Sequence, residues 1–465
     1  MIGDESTAGV DVAVLGAGPA GLMAAYRLAL SGRRVVVLEQ AAHVGGLAAS
    51  FRVDGQRVDH GSHRLHPATL PPVMAIVGQL LGADLQRRRR NGRLRLGDRW
   101  VGFPPRATDL ARRVPLRLAL RLGFDALAGP LRTPPREDTF AEVVRARLGP
   151  GLAERFYAPY VRKIWGMEPD ELSGELARRR VSASSGGLVR RLLPGGDADR
   201  GFFYYPRAGF GEIVERLADA AVSAGAQVEL GSPVDAVETL PGGIRLRSGS
   251  RRIDASHVWS TIPITALAER LEPAPPDDVI AAASRLRSRA LVLVYVVAEV
   301  ERFTEFDAHY VAGPEAAFAR LSEPKNYRDG PDPDDRTVLC AEVPCRVGDP
   351  VWTADDETLG DLVGDGIRAL GLGDLRRSTV VTRRVARAYP VYDRDYEEAF
   401  AAVDEEVAAR PRLLTFGRQG LFAHDNSHHA MAMAWAAADA FGHDGVDAEQ
   451  WRAARAEFAG HVVED

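Results

Sequence analysis

Cysteine is almost absent: the 465 residues hold two, Cys340 and Cys345. Both fall in an alternating stretch, TVLCAEVPC, whose spacing places them on opposite faces of a strand. No disulfide is expected between them, two thiols alone make no metal centre, and reduced thiols point to the cytoplasm. Long apolar runs are missing too. Ala290 to Ala298 and the small-residue stretch from Ala430 fall short of the roughly 20 residues that a membrane helix needs. The opening residues, MIGDESTAG, lack the apolar core of a secretory signal. Nor does one sign of charge dominate. The 59 basic and 64 acidic residues leave a net −5, which gives no general attraction to nucleic acid. Neither an integral membrane segment nor a nucleic-acid partner is expected. The one local basic run, Arg87 to Arg90, reads as a solvated hairpin or loop tip.

What is present is an ordinary globular composition, 46% apolar and 26% charged, in a chain too long for one hydrophobic core. Two domains are the default. Near the N-terminus, Val12 to Leu15 is continuously apolar, as in a parallel strand buried on both faces. It runs into Gly16-Ala17-Gly18-Pro19-Ala20-Gly21, a helical stretch to about Ser31, a stop at Gly32, and a second strand, Val35 to Leu38, that ends on Glu39. Each part fits a dinucleotide. Gly16 makes the tight turn, Gly18 lets backbone N–H groups approach a pyrophosphate, and Gly21 lets helix and strand pack closely. The helix N-terminus offers partial positive charge to the phosphates, and Glu39 offers acceptors to ribose hydroxyls. A second glycine pair, Gly45-Gly46, follows and can approach the same pyrophosphate from the other side.

With that pair the chain resembles the flavoprotein superfamily of amine oxidases, protoporphyrinogen oxidases, carotenoid-type desaturases and UDP-galactopyranose mutases. The resemblance implies FAD as cofactor. Leu47 and Ala48 stand where an arginine or asparagine often follows the glycines. Near the C-terminus, RLLTFGRQGLFAHDNSHHAMAMAWAAADAF reads as a strand (Leu413 to Phe416), a loop (Gly417 to Ser427) and a helix from Ala430, and resembles the second flavin motif. It contributes Gly417, Arg418, Asn426, Ser427 and His428 to the expected FAD site. A meander with turns at Pro241-Gly242-Gly243 and Ser248-Gly249 would return to the cofactor domain, with Val234 beside the adenine. The expected fold class is α/β: a Rossmann-type FAD-binding domain with an interleaved α+β substrate domain. Residues 8–70, 201–275 and 391–465 would form the first; a helical block, 71–200, and a sheet, 276–390, would form the second. Turns at Pro104-Pro105 and Pro134-Pro135 interrupt the helical block, and Leu116 to Leu127 reads as a helix packed within it.

Candidate chemistry comes from the same resemblance. VDHGSHRLHP carries His60, His63 and His66; Gly61 and Pro67 break the run, so no metal is expected there. In the mutases such a loop lies beside the flavin ring, which places Gly61, Ser62, His63 and His66 there and makes His63 the candidate for tuning the flavin or for acid–base work. FYAPYVRKIWGMEPDELSGELARRRV matches a segment bordering the mutases' substrate site, with Arg162, Lys163, Trp165 and Gly166 as its core. Arg180, with Arg178 and Arg179 as alternatives, aligns with one diphosphate-binding arginine; Arg320 in FARLSEPKNY aligns with the other. Tyr389 opens the matching YPVYD, and FYYPRAGFGEIVERLA, Phe203 to Ala218, also matches in order. His424 and Asn426 stand where the mutases place a tyrosine and an aspartate. The catalytic candidates are therefore His63, Trp165, Arg180, Arg320, Tyr389 and His424.

Three activities fit this pattern. One is oxidation of a small anionic substrate, phosphate- or nucleotide-linked, with oxygen or NAD(P)H as redox partner. A second is a mutase-like isomerisation of a nucleotide sugar on reduced flavin. The third is a flavin-binding protein without turnover.

Overall fold

The strand Val10–Leu15 buries its last four side chains, as a central parallel strand must. It lies between Val35–Leu38 and Arg251–Ser260, both parallel to it. Gln227–Glu229 extends the sheet on one side, and Leu413–Thr415 joins Arg251–Ser260 from the far end of the sequence. Ala236–Leu240 and Gly243–Ser248 continue the sheet antiparallel through turns at the expected glycines, and Leu271–Glu272 closes the edge. In the computed structural model, residues 9–103, 134–181 and 201–463 are described, together with Arg121, Phe124, Asp125 and Ala128. The turn at Pro104-Pro105 and most of Leu116 to Leu127 lie outside them.

One face of this sheet carries the helix Pro19–Leu30, held between Gly211–Ser223 and Ser427–Asp439. Pro19 sits at its first position, where a missing N–H costs no hydrogen bond. Ala24 and Ala25 are fully buried, and such small side chains let neighbouring helices come close. The helix Ser427–Asp439 starts earlier than the expected Ala430. Asn426 caps it, exchanging hydrogen bonds reciprocally with His429. The other face packs Ile264–Ala268, Asp277–Arg285 and Tyr396–Ala408.

A second sheet has seven strands, in the order Arg377–Pro390, Ser288–Ala298, Thr337–Cys345, Arg320–Ser322, Ala308–Val311, Gly92–Leu96 and Arg99–Phe103. Its long strand Ser288–Ala298 reads as one apolar run because both faces are covered. Val292, Val294 and Val296 pack with Leu359, Val363 and Ile367 of the helix Asp356–Ala369, while Leu291, Leu293 and Tyr295 face the opposite core. Cys340 and Cys345 fall into these two different cores and are both free thiols. The architecture is the expected α/β class. Among the described residues no helix is long and apolar enough to cross a membrane.

The block 71–200 is not helical throughout. Helices Phe140–Leu148, Ala158–Trp165 and Gly174–Arg180 are present, but residues 85–103 form strands. The arginine run is part of one of them rather than a loop tip. Leu85–Arg89 pairs antiparallel with Phe202–Pro206; Arg87 lies 3.9 Å over the Phe202 ring, and Arg88 pairs with Asp329 at 2.5 Å. Aromatic and acidic partners from distant sequence hold these cations in a sheet.

The strand Ala308–Val311 carries His309, which is 1% exposed, edge-on to Trp100 and Phe306. Burial, with Arg93 adding to it, brings its pKa down to about 3. A histidine whose folded pKa is depressed binds protons more readily when unfolded, so its neutral form favours folding above about pH 6.5 and that advantage is lost as pH falls toward the folded value. His309 alone should cost about 2 kcal/mol of stability at pH 5 relative to pH 7.5. His309→Phe should flatten the fall in melting temperature across that interval, measured by thermal denaturation; a variant with the wild-type slope would rule the histidine out.

Candidate functional site

Where the two sheets face each other, a cavity of about 610 Å³ runs from the glycine turn to the second sheet. Its first wall is the N-terminal turn. Gly16, with φ of +98°, adopts a backbone conformation that favours glycine, and its neighbours Gly18 and Ala20 line the cavity. A Cβ at Gly18 would meet no protein atom within 4 Å, so the space over it is open. The opposing glycine loop comes close: a Cβ on Gly46 would lie 3.7 Å from the Gly18 Cα. Gly46 and Leu47 line this part of the cavity. Glu39, at the strand tip, directs Oε2 to the Ala17 N–H and Oε1 to the Ala41 N–H, both at 2.8 Å. Val234 lines the end beyond Glu39.

Gly21 and Gly45 stand behind this lining. A Cβ on Gly21 would fall 1.9 Å from the Gly16 carbonyl oxygen, so its role is close packing of helix on turn. Gly45, with φ of +107°, donates its N–H to the Ala17 carbonyl at 2.7 Å and ties the two glycine loops together.

The C-terminal motif forms the adjoining wall through Gly417, Arg418, Asn426 and Ser427. Gly417 has φ of +83°, and a Cβ there would press on Ala20 at 3.0 Å. Arg418 donates to the carbonyls of Asp425 and Ala388, both at 2.6 Å, and its buried Nε has no partner. Burial, reinforced by Arg180 nearby, lowers its pKa. His428 lies outside the lining. It is 4% exposed and packs between His66 and His429.

The histidine loop closes the third side. Gly61, Ser62 and His63 line the cavity; the loop is pinned to the second sheet by Ser62 N–H donating to Glu342 at 2.9 Å, and the Ser62–Tyr327 hydroxyl pair at 2.6 Å adds a second tie. His63 stacks on Phe210 at 5.1 Å, and its buried Nδ1 has no hydrogen-bond partner. Burial lowers its pKa, which keeps the ring neutral, although Asp59 and Glu342 act in the opposite sense.

Arg180, Arg320 and Tyr389 converge on the same space from a helix and two strands. Of the three consecutive arginines, Arg178 is engaged by Asp138 and Glu175, Arg179 by Glu175, and Arg180 reaches the cavity. Arg180 donates to the Tyr160 hydroxyl at 3.3 Å and lies 5.7 Å over the Tyr389 ring. Arg320 is clamped by Glu342 through two bonds of 2.8 Å. Burial alone would lower the arginine's pKa, but that carboxylate more than offsets it and holds it well above the ordinary value.

Trp165 and His424 do not reach the cavity. Both direct ring nitrogens to the Pro390 carbonyl, at 3.4 and 2.8 Å, and pack edge-on at 5.9 Å. They brace the strand that presents Tyr389. Lys163, in the same sequence segment, donates to the carbonyls of Val311, Ala316 and Phe318 and so fastens its helix to the second sheet. Sequence reading missed Glu342, Arg64, Arg90 and the apolar wall of Leu291 and Leu293. Glu342 did leave a signal, as the lone acid in the apolar stretch TVLCAEVPC.

The family model for flavin-containing amine oxidoreductases matches residues 19–437. The chain belongs to that family. It is 26% identical over 454 residues to a coproporphyrinogen III oxidase of Propionibacterium freudenreichii subsp. freudenreichii, covering 85% of this chain and 84% of that protein. Reduced UDP-galactopyranose mutase superposes with a TM-score of 0.80 at 19% identity, over 98% of this chain and all of that one. Putrescine oxidase bound to putrescine superposes at 0.65 and 18% identity, over 93% and 98%. This flavoenzyme therefore uses FAD. The structure accommodates it: the orphaned His63 Nδ1 and Arg418 Nε, and the open space over Gly18, all border one elongated cavity.

Proposed function

We propose that the enzyme oxidises a small anionic substrate in the cavity bounded by His63, Arg180, Arg320 and Tyr389. The observation that carries this reading is the Arg320–Glu342 clamp. A leaving diphosphate calls for two available guanidinium groups, and here the charge of one is already neutralised by a carboxylate. The remaining cationic character, from Arg180, suits a singly charged group such as a carboxylate.

Gly16, Gly18, Glu39, Gly46 and Val234 would hold the adenosine and diphosphate of FAD. Gly417, Arg418, Asn426 and Ser427 would hold its ring end, where the helix N-terminus favours negative charge. Bound there, the cofactor supplies a two-electron acceptor. His63, neutral and with Nδ1 unengaged, would take the proton released from the substrate heteroatom. Arg180 would orient the substrate's anionic group, and Leu291 and Leu293 would exclude water. Overall, two electrons and two protons leave the substrate for an acceptor; with oxygen the product is hydrogen peroxide.

Anaerobic addition of the correct substrate should bleach the flavin, and air should restore its colour. Arg180→Ala should weaken substrate binding by roughly 2–5 kcal/mol with little change in FAD content. An unchanged KM would remove Arg180 from the substrate site. A second reading, nucleotide-sugar isomerisation, is favoured by Arg180 and Arg320 lining one cavity from different elements. It requires turnover only after prior reduction, without stoichiometric use of reductant, and that result would displace the oxidase reading.

A further inference from the structure

Asp425 precedes the helix Ser427–Asp439 and is 1% exposed. Its Oδ1 is buried without a hydrogen-bond partner. A carboxylate oxygen in that condition is costly unless some charge meets it. Three groups face it: His461 Nδ1 at 3.4 Å, His429 Nδ1 at 3.6 Å and Arg179 Nη1 at 4.0 Å. All three lie beyond the length of a charge-assisted hydrogen bond. His461 Nδ1 also stands 3.5 Å from Asp425 Oδ2. The two imidazoles are stacked, with centroids 4.3 Å apart and planes at 16°. One ligand atom from each of Asp425, His429 and His461 can be chosen so that all lie within 4.8 Å of one another.

The two Asp425–histidine separations, 3.4 and 3.6 Å, are long for hydrogen bonds and close to those of ligands sharing an ion. With bonds of about 2.0–2.1 Å, the edges of a tetrahedron around zinc are roughly 3.3–3.4 Å, against roughly 2.9 Å between adjacent positions of an octahedron. We propose that Asp425, His429 and His461 form a binding site for a divalent transition ion of the zinc class, with water as the fourth ligand. Two imidazoles and one carboxylate are a donor set that suits zinc. The Asn426 N–H meets His429 Nδ1 at 3.2 Å, which marks Nδ1 as the nitrogen bearing the lone pair. The ion would take over that long contact. Arg179 opposes a cation, but Glu175, which it shares with Arg178, accepts from its Nε at 2.9 Å and offsets part of the charge.

The site joins distant parts of the chain. His461 follows the last helix, Ala448–Ala459, whereas Asp425 belongs to the wall of the flavin cavity. A bound ion would clamp the C-terminal end of the protein onto the second flavin motif. The site stands whether or not the oxidase reading does, because its test needs no substrate.

The purified flavoprotein, stripped with a chelator, is titrated with zinc against a chromophoric competitor. One zinc per chain is expected. His461→Ala should weaken binding by more than about 100-fold, since even groups that only orient a ligand contribute 10–100-fold. His429→Ala should do the same, while exposed His443→Ala should change nothing. Cobalt in place of zinc should give the intense visible bands of a tetrahedral site. FAD content, measured on every variant, identifies any that has not folded; His461, which lies beyond the helix Ala448–Ala459, is the variant expected to retain it. Absence of stoichiometric zinc in the wild type, equal affinity in FAD-retaining His461→Ala, or an octahedral cobalt spectrum would each overturn the proposal.

Discussion

Gly21→Ala should yield a protein that folds poorly and retains no FAD, whereas Gly18→Ala should fold normally and hold FAD weakly. The two glycines are three residues apart in one turn, yet they face opposite sides of it. At Gly21 the added carbon would meet the Gly16 carbonyl oxygen at 1.9 Å, with the Gly16 carbonyl carbon at 3.1 Å and Val14 at 3.3 Å behind it. These are mostly backbone atoms of a turn whose own glycine already sits at φ of +98°, so no side chain can swing aside. The helix would have to move off the strand. Overpacking of an adaptable core costs about 1–3 kcal/mol, and a rigid backbone contact should exceed that.

At Gly18 nothing in the protein obstructs the new methyl group. Exchanging glycine for alanine there removes only the close approach of the backbone to a ligand. Melting temperature of the apoprotein and FAD content of the purified protein separate the two effects. If Gly18→Ala kept full FAD content, the turn would not be where the diphosphate lies. If Gly21→Ala kept wild-type stability, the packing role given to that glycine would fail.

The glycine turn was legible because its logic is local. Strand, turn, helix and acid follow one another within about thirty residues, and each residue's reason lies beside it in the chain. The two cysteines were legible in the same way, through the period of a strand. What escaped depends on pairing across the fold. Arg87 and Arg88 look like a solvated run until Leu85–Arg89 is set against Phe202–Pro206, more than a hundred residues away. Trp165 and His424 have the residue types of an active site, but orientation decides, and both turn toward the Pro390 carbonyl. The helix of the second flavin motif begins early because Asn426 and His429 cap one another, a pairing that the run N-S-H-H does not announce. Arg320 shows the limit most clearly. Its place in the cavity followed from motif order, but its partner depends on strand register: it sits directly opposite Glu342 in an antiparallel pair.

That register carries the second large prediction. Glu342→Gln should both destabilise the protein and tighten its hold on diphosphates. The carboxylate is 4% exposed and accepts from Arg320 Nε, Arg320 Nη2 and the Ser62 N–H, so every oxygen is engaged. Removing one charge of a buried pair costs about 3–5 kcal/mol, because the other is left unmatched. The side chain of Arg320 is 17% exposed toward the cavity, which places the expected loss at the lower end of that range. The freed guanidinium then becomes available to an anion. At a separation of about 4 Å in a site screened like a protein surface, one unmatched charge pair is worth up to about 4 kcal/mol before desolvation, so a gain of tenfold or more in UDP affinity is reasonable. Calorimetric titration of UDP into the wild type and the variant measures it. Arg320→Ala should also destabilise, now by stranding the carboxylate, but should weaken UDP instead of tightening it. Replacing both by hydrophobic side chains of similar size should restore stability to near the wild-type level, since such pairs seldom contribute net stability. If Glu342→Gln bound UDP no better than the wild type, the clamp would not be what sets the charge of the substrate, and the argument against a diphosphate would fall with it.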